Sequence, residues 1–216
     1  MRFTTAIFDM DGTLFDTERL AMRALEVVLE RYELAIPRQA LESVIGLDGK
    51  RTEAVLACFI PPSIGVEGIL KPASALIRSE IEARGLPLKK GAMEILAYLK
   101  ACGTAIGLAT STSTARALDN LRRANLTDYF QATIGGDQVA QGKPCPDIYL
   151  KALAKLRASP EDAIAVEDSD HGIQSAAAAG VRVIHIPDVK QIDAVTMARV
   201  HRKYASLLDF RDDLAL

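Results

Sequence analysis

Two carboxylates follow a short apolar run near the start of the chain. In the stretch TAIFDMDGTLFDTERL, residues 5–8 lead directly into Asp9 and, two residues later, Asp11. Gly12 permits a tight exit that keeps both carboxylates directed to one place. A carboxylate such as Asp9 can act as a nucleophile and form an aspartyl-phosphate. Asp11 could give a proton to the leaving oxygen and later take one from water.

Three later stretches contain polar residues that suit a phosphate or a metal ion. Thr110 and Ser111 lie in LATSTST, Lys143 lies in GKPCPD, and Glu167 and Asp168 lie in AVEDSDHGI. The first offers a hydroxyl donor, and the free N–H groups of a helix that begins after it favour a phosphate. Crowded carboxylates need a cation, and ligation by oxygen alone favours Mg²⁺ over zinc or copper.

Five β-like runs alternate with helical patterns over most of the chain. The runs cover residues 3–8, 104–109, 132–135, 163–167 and 181–186. This alternation predicts an α/β fold, a doubly wound parallel sheet covered by helices on both faces. Ligands of such sheets bind at the carboxyl ends of the strands, so the polar stretches are expected to meet in one crevice.

Residues 17–88 break the alternation, because only helical patterns occur there. Helices are predicted over residues 38–45, 51–59 and 73–83, and the breakers between the last two are Pro61, Pro62, Gly65, Gly68 and Pro72. The sequence therefore predicts a catalytic core of residues 1–16 and 89–216 and a helical cap of residues 17–88. Hinges are expected near residues 14–17 and 85–91. A cap of this size could close over the crevice and exclude bulky substrates.

Composition excludes several classes of partner. The chain has 216 residues and a net charge of −2, which gives no electrostatic reason to expect nucleic acid or an anionic membrane. No apolar run approaches the ~18–20 residues of a membrane span, and no signal-peptide pattern is present. Three scattered cysteines are typical of reduced thiols. We expect a cytoplasmic monomer whose partner is a small phosphorylated metabolite.

The motifs DMDGT, LATS, GKPCPD and VEDS, in this order, resemble those of the haloacid dehalogenase superfamily over almost the whole chain. The helical insert resembles that of the subfamily with a small cap, which contains β-phosphoglucomutase, phosphonatase and many phosphatases. The resemblance implies a Rossmann-like core. It implies these roles: Asp9 as nucleophile, Asp11 as acid and base, Thr110, Ser111 and Lys143 as phosphate ligands, and Mg²⁺ bound by Asp9, the Asp11 carbonyl and Asp168, with Glu167 assisting directly or through water.

We interpret the chain as a Mg²⁺-dependent phosphomonoester hydrolase of a sugar phosphate or a nucleoside monophosphate. The stretches DTERL, ATSTS and AAAAGVRVIHIPD are similar to those of pseudouridine-monophosphatases and sugar phosphatases. Dehalogenases and phosphonatases lack the residue that Asp11 supplies. A phosphosugar mutase is the nearest alternative, although residues 18–21 lack the histidine that mutases usually carry.

Two further readings belong to other classes. A phospho-accepting receiver also has an acidic pocket and a lysine, but it is shorter and has no helical insert. A binding protein that has lost its activity is disfavoured by the intact motifs. We expect Lys50 and Arg51 to contact substrate or to be solvated residues of a cap loop. Cys145 is expected to be a packing residue, and His171 a capping or surface residue.

Overall fold

The computed structural model of the chain describes residues 2–44 and 49–216. Its contacts divide the chain into two compact units. One consists of Met1–Phe15 and Leu88–Leu216, and we call it the core unit; the other consists of Asp16–Pro87, and we call it the cap unit. Both divisions fall inside the segments that the sequence predicts as hinges.

The core unit contains a six-stranded parallel sheet within its described residues. The strands are β1 Thr5–Phe8, β2 Ala105–Ala109, β3 Ala132–Ile134, β4 Ala163–Glu167, β5 Arg182–His185 and β6 Val200–Lys203. Their order is β3-β2-β1-β4-β5-β6. The chain therefore starts in the middle of the sheet, runs to one edge, and then crosses to the other. This topology confirms the predicted doubly wound α/β fold.

The described residues also form ten α-helices. They are α1 Thr17–Arg31, α2 Arg38–Ser43, α3 Gly49–Leu56, α4 Gly65–Arg84, α5 Ala92–Ala101, α6 Thr114–Arg123, α7 Asp147–Leu156, α8 Asp170–Ala178, α9 Ala194–Met197 and α10 Leu207–Leu214. The first four belong to the cap unit, which has no strand among its described residues. In the described part of the chain, every helix is too short or too polar to cross a membrane.

The central strands are apolar throughout because helices cover both faces of the sheet. Every residue of β1 and β4 is buried. On one face, Ile7 and Ala165 lie in a cluster with Ile148 and Leu153 of α7 and Ile173 of α8. Burial of each large aliphatic side chain stabilises the fold by about 1.5–3 kcal/mol. This packing fixes α7 and α8 against the strands whose ends carry the polar residues.

The register of the sheet aligns the ends of its central strands. Phe8 of β1 pairs with Leu108 of β2 and with Val166 of β4. The Asp9 N–H donates to the Val166 carbonyl at 2.9 Å, so the ladder extends one residue beyond β1. Asp9 and Glu167 therefore lie at the same level of the sheet, on neighbouring strands.

Strand β6 was missed in the sequence. It lies at the edge of the sheet, and three of its four residues, His201, Arg202 and Lys203, are exposed. An edge strand with charged side chains has no apolar run to signal it. Helix α10 was also missed, although its buried residues Leu207 and Phe210 repeat at helical spacing.

The predicted start of α4 at residue 73 was wrong. The helix begins at Gly65 and continues through Gly68 and Pro72. The residues Val66, Ile69 and Ala73 lie at positions i, i+3 and i+7 and are buried in the apolar core of the cap unit. Burial of that stripe outweighs the breakers, since propensity is a weak preference that tertiary packing overrides.

Candidate active site

The end of β1 brings Asp9 and Asp11 into a tight turn. The Leu14 N–H donates to the Met10 carbonyl, and the Gly12 N–H donates to the Phe15 carbonyl, each at 2.9 Å. Gly12 has φ +85°, which favours glycine. A Cβ atom at Gly12 would also collide with the carboxylate of Asp168. Only glycine therefore allows this turn to approach the end of β4.

Lys143 lies at the centre of the site and donates three hydrogen bonds. Its Nζ atom lies 2.5 Å from Asp9 Oδ1, 2.6 Å from Glu167 Oε1 and 3.0 Å from the Ala109 carbonyl oxygen. The side chain of Lys143 is only 5 % exposed. One ammonium thus links the ends of β1, β2 and β4.

Both carboxylate oxygens of Glu167 accept hydrogen bonds from the chain. Oε1 accepts from Lys143 and, at 2.6 Å, from the buried Tyr149 hydroxyl. Oε2 accepts from the Asp168 N–H at 3.2 Å and from the Ser169 hydroxyl at 3.3 Å. A Cβ atom at Gly172 of α8 would collide with this carboxylate. Glu167 is therefore held on all sides.

Three carboxylates form a cluster that could hold a metal ion. Oxygen atoms of Asp9, Glu167 and Asp168 all lie within 4.8 Å of one another, and all three residues are buried. The hydroxyl of Thr13, also buried, donates to Asp168 Oδ1 at 2.9 Å and fixes that side chain. An all-oxygen set of this kind is the chemistry that suits Mg²⁺.

Electrostatics in the site favour an added cation. Burial raises the pKa of Asp9 well above its ordinary value, and the carboxylates of Glu167 and Asp168 raise it further, whereas Lys143 lowers it. Burial opposes the charge of Lys143, but Asp9 and Glu167 outweigh it and raise the pKa of the ammonium. Lys143 is therefore charged, and one positive charge faces three carboxylates.

Asp11 is held by a residue from the loop after β2. Its Oδ2 atom accepts a hydrogen bond from the Thr112 hydroxyl at 2.9 Å. Thr110, directly after β2, is buried, and its Oγ1 accepts from the Thr112 N–H at 3.1 Å. Ser111 is exposed between them.

The loop of residues 110–114 is braced from the end of β3. The Gly136 N–H donates to the Thr112 carbonyl at 3.0 Å. Asp137 Oδ1 accepts from both the N–H and the hydroxyl of Thr114, each at 2.7 Å. The following helix begins at Thr114, and Asp137, not Thr110 or Ser111, accepts a hydrogen bond from its first N–H.

The structure brings most of the predicted site residues together at the carboxyl edge of the sheet. Direct or shared contacts join Asp9, Lys143, Glu167 and Asp168, and Asp11 adjoins Thr110 through Thr112. His171 is exposed, and Cys145 is partly buried with its Sγ 3.0 Å from Gln141 Oε1. The side chains of Lys50 and Arg51 lie outside the described residues.

Sequence reasoning missed three residues that hold the predicted ones. Thr13 could have been found, because it is the last letter of the DMDGT motif and follows two candidate carboxylates directly. Thr112 lies in the LATSTST stretch directly after the predicted Thr110 and Ser111, so its position was a signal for it. Tyr149 gave no signal, since an aromatic residue on the buried face of α7 is normally part of the core.

The sequence of the chain matches one hydrolase family model and is similar to the sequences of proteins named as phosphatases. A family model described as haloacid dehalogenase-like hydrolase matches residues 6–186. The "Phosphorylated carbohydrates phosphatase" of Thermotoga maritima is 34% identical over 179 residues, which cover 83% of this chain and 82% of that protein. The "Probable pseudouridine-5'-phosphatase" of Drosophila melanogaster is 31% identical over 218 residues, which cover 98% and 93%.

The chain is also similar to a solved structure. The crystal structure of a HAD family hydrolase from Deinococcus radiodurans R1, with bound phosphate and sodium, superposes with a TM-score of 0.81. The match covers 99% of this chain and 96% of that chain, with 26% sequence identity. The similarity therefore extends over both units.

Proposed function

Because the chain belongs to the haloacid dehalogenase-like hydrolases, we propose that it is a Mg²⁺-dependent phosphatase that hydrolyses a small phosphorylated metabolite through an aspartyl-phosphate. The enzyme class follows from the family and from relatives named as phosphatases. One observation carries the mechanism: Asp9 shares a buried crevice with one lysine and two further carboxylates.

In the first half of the reaction, an oxygen of Asp9 attacks phosphorus in line. The bond between Asp9 and phosphorus forms as the bond to the leaving oxygen breaks, and Asp11 gives that oxygen a proton. The Thr112 hydroxyl, which donates to Asp11 at 2.9 Å, orients the carboxyl for this transfer. In the second half, water attacks phosphorus, Asp11 takes its proton, and Asp9 is released.

Phosphate binding is assigned to three residues. Lys143 supplies a buried positive charge beside Asp9. The Thr110 hydroxyl accepts from a backbone N–H, so its own proton is free to be donated to a phosphoryl oxygen. Ser111, the next residue in the loop, contributes its hydroxyl or N–H. Such groups stabilise the charge that is spread over the oxygens in the transition state.

The metal is assigned to Asp9, Asp168 and the Asp11 carbonyl. Glu167 is given no direct bond to it, because both its oxygens accept hydrogen bonds from the chain. Bound Mg²⁺ would offset the crowded negative charge and draw charge from the phosphoryl group. The raised pKa of Asp9 supports this assignment, since a nucleophile must be ionised and a cation would lower that pKa.

The substrate class is a sugar phosphate or a nucleoside monophosphate. The Thermotoga relative is named for phosphorylated carbohydrates, and the Drosophila relative for pseudouridine 5'-phosphate. The near-neutral charge of the chain gives no electrostatic attraction for a polyanion such as nucleic acid. Three free cysteines, two of them exposed, support a location in the reducing cytoplasm.

A phosphate-release panel tests the function. The purified protein, with Mg²⁺, is assayed against sugar phosphates, nucleoside monophosphates, phosphopeptides and oligonucleotide phosphates. We expect kcat/KM to be highest for a small metabolite. A phosphopeptide preferred by tenfold or more would overturn the substrate class. Conversion of glucose 1-phosphate to glucose 6-phosphate without phosphate release would favour the mutase instead.

A further inference from the structure

We propose that Tyr149 is a positioning residue of the active site, whose hydroxyl holds Glu167 so that the ammonium of Lys143 is directed at Asp9. The inference rests on the proposed phosphatase function and extends it to a residue outside the four motifs. Tyr149 lies on α7 and is fully buried.

The first step concerns the number of donors. A lysine ammonium has three N–H groups, and those of Lys143 are taken by the Ala109 carbonyl, Glu167 Oε1 and Asp9 Oδ1. When two of the acceptors are fixed, the direction of the third N–H is fixed as well. The direction of the Lys143 N–H group that donates to Asp9 therefore depends on how rigidly the Ala109 carbonyl and the Glu167 carboxylate are held.

The second step concerns those two acceptors. The Ala109 carbonyl is held by the sheet, as the last residue of β2. The Glu167 carboxylate can turn about its own side-chain bonds, and the Tyr149 hydroxyl restrains it by donating to Oε1 at 2.6 Å. The same oxygen accepts from Lys143, so Tyr149 and Lys143 share one atom.

The third step concerns the aromatic ring. Lys143 Nζ lies 5.3 Å from the centre of the Tyr149 ring, within the range of a cation–π contact. The ring is packed in the core with Ile148 and Leu153 of the same helix. The Tyr149 ring that contacts the ammonium is therefore held in place by the core, and helix α7 helps to position the residues of the site.

The test uses Tyr149→Phe, which removes the hydroxyl and keeps the ring. Tyr98→Phe is the matched control, since the Tyr98 hydroxyl donates to the Leu214 carbonyl at 2.7 Å, away from the site. We expect Tyr149→Phe to lower kcat at least about tenfold, as for loss of a hydrogen bond to a charged group. Loss of this buried bond should also lower the melting temperature by a few degrees, and Tyr98→Phe should leave kcat unchanged.

Two titrations give readouts that do not depend on turnover. Calorimetry should show that orthophosphate, in the presence of Mg²⁺, binds Tyr149→Phe about tenfold more weakly, because the positive charge of Lys143 is no longer held in place beside Asp9. Mg²⁺ alone should bind within about twofold of the wild type, because Glu167 is not a ligand. If the wild-type protein releases no phosphate, the proposed function fails, and these titrations still decide the role of Tyr149.

A double-mutant cycle with Glu167→Gln separates positioning from packing. If Tyr149 acts through Glu167, Tyr149→Phe should weaken orthophosphate binding by less than about twofold in the Glu167→Gln background. Equal effects in both backgrounds would overturn the proposal. Wild-type phosphate affinity in Tyr149→Phe would also overturn it. The same holds if Tyr149→Phe loses as much affinity for Mg²⁺ as it does for phosphate. If Glu167→Gln does not fold, the single variants with the two titrations give the decision.

Discussion

At the scale of single residues, the side chains of the site balance only part of its negative charge. Lys143 neutralises one carboxylate, while Asp9, Glu167 and Asp168 lie within 4.8 Å of one another. Side chains without charge do the remaining positioning: Thr13 on Asp168 and Thr112 on Asp11. The charged residues supply the chemistry, and the hydroxyls fix where it occurs.

Replacing the nucleophile should abolish turnover. In Asp9→Asn the amide cannot form the aspartyl-phosphate, and Asp11→Asn should lower kcat by about 10²–10⁴-fold, because a positioned acid and base is lost. Phosphate release is measured beside circular dichroism, which should match that of the wild type. Turnover near the wild-type rate in Asp9→Asn would contradict the mechanism.

Removing the hydroxyl that orients Asp11 should lower kcat more than it raises KM. Thr112→Val keeps the shape but loses the 2.9 Å bond to Asp11 Oδ2, so we expect kcat to fall by about tenfold, as for loss of a hydrogen bond to a charged group. Thr127→Val is the control, since Thr127 is exposed in a short turn between α6 and β3. Steady-state kinetics that show equal kcat values for the two variants would remove Thr112 from the acid–base step.

At the scale of elements, helix α8 is fitted to the carboxylate beneath it. Its third residue, Gly172, allows the helix to approach Glu167 so closely that no Cβ can be accommodated. The Ser169 hydroxyl accepts from the Gly172 N–H at 3.1 Å and caps the helix. The start of α8 and the end of β4 therefore form one unit.

Gly172→Ala should damage both stability and activity. Alanine is favoured over glycine in a helix interior by about 1 kcal/mol. A lower melting temperature in Gly172→Ala would therefore come from the collision with Glu167 and not from helix propensity. Gly68→Ala in α4 is the matched control, since its Cβ would meet only the Ile64 side chain at 3.3 Å. Thermal unfolding and phosphate release are compared for both variants. Equal melting temperatures would show that Glu167 can move aside.

A buried ion pair fixes the segment where the chain returns to the core unit. Lys89 Nζ lies 2.6 Å from Asp188 Oδ1, and their side chains are 9% and 1% exposed. The Lys89 N–H also donates to the Leu14 carbonyl at 2.9 Å. The segment that follows the cap unit is thereby tied both to the exit from β1 and to the loop after β5.

Breaking this pair should be costly. Lys89→Met removes one side of this buried pair, and loss of one side of a buried pair typically lowers the free energy of unfolding by about 3–5 kcal/mol. For a chain of this size that loss lowers the melting temperature by roughly 6–20 °C. Arg38→Met removes the exposed pair of Arg38 with Glu42 and should leave the melting temperature nearly unchanged, because solvent screens such pairs. Similar melting temperatures for the two variants would contradict the ranking.

At the scale of the whole molecule, the order of elements was predictable from the sequence and the contacts of the site were only partly so. The five buried strands were found because both faces are covered, whereas β6 escaped because its side chains are charged. The motif residues were predictable because they are carboxylates, hydroxyls and a lysine, which are side chains that can bind a metal ion or a phosphate. Tyr149 and Gly172 were not, since their roles follow from distances between elements that a single sequence does not contain.

Metal binding should stabilise the core unit. A cation that binds only the folded chain raises the free energy of unfolding by about 2.7 kcal/mol at a concentration of 100 Kd. Mg²⁺ should therefore raise the melting temperature. A chelator should lower the melting temperature and abolish activity. Asp168→Ala should remove most of this shift. Ca²⁺, which is larger and less strict in geometry, should raise the melting temperature but restore little activity. Full activity in excess chelator would contradict the metal assignment.

The close approach of Gly12 to Asp168 has a consequence for how this sequence can change. The two residues lie in different motifs, 156 positions apart, yet a side chain at one would occupy the space of the other. Neither motif can therefore drift independently. A shorter residue at position 168 would make room for a side chain at position 12, but that exchange would remove a proposed metal ligand and leave the new residue at φ +85°. The steric fit therefore couples positions 12 and 168, so that a substitution at one constrains the residue at the other.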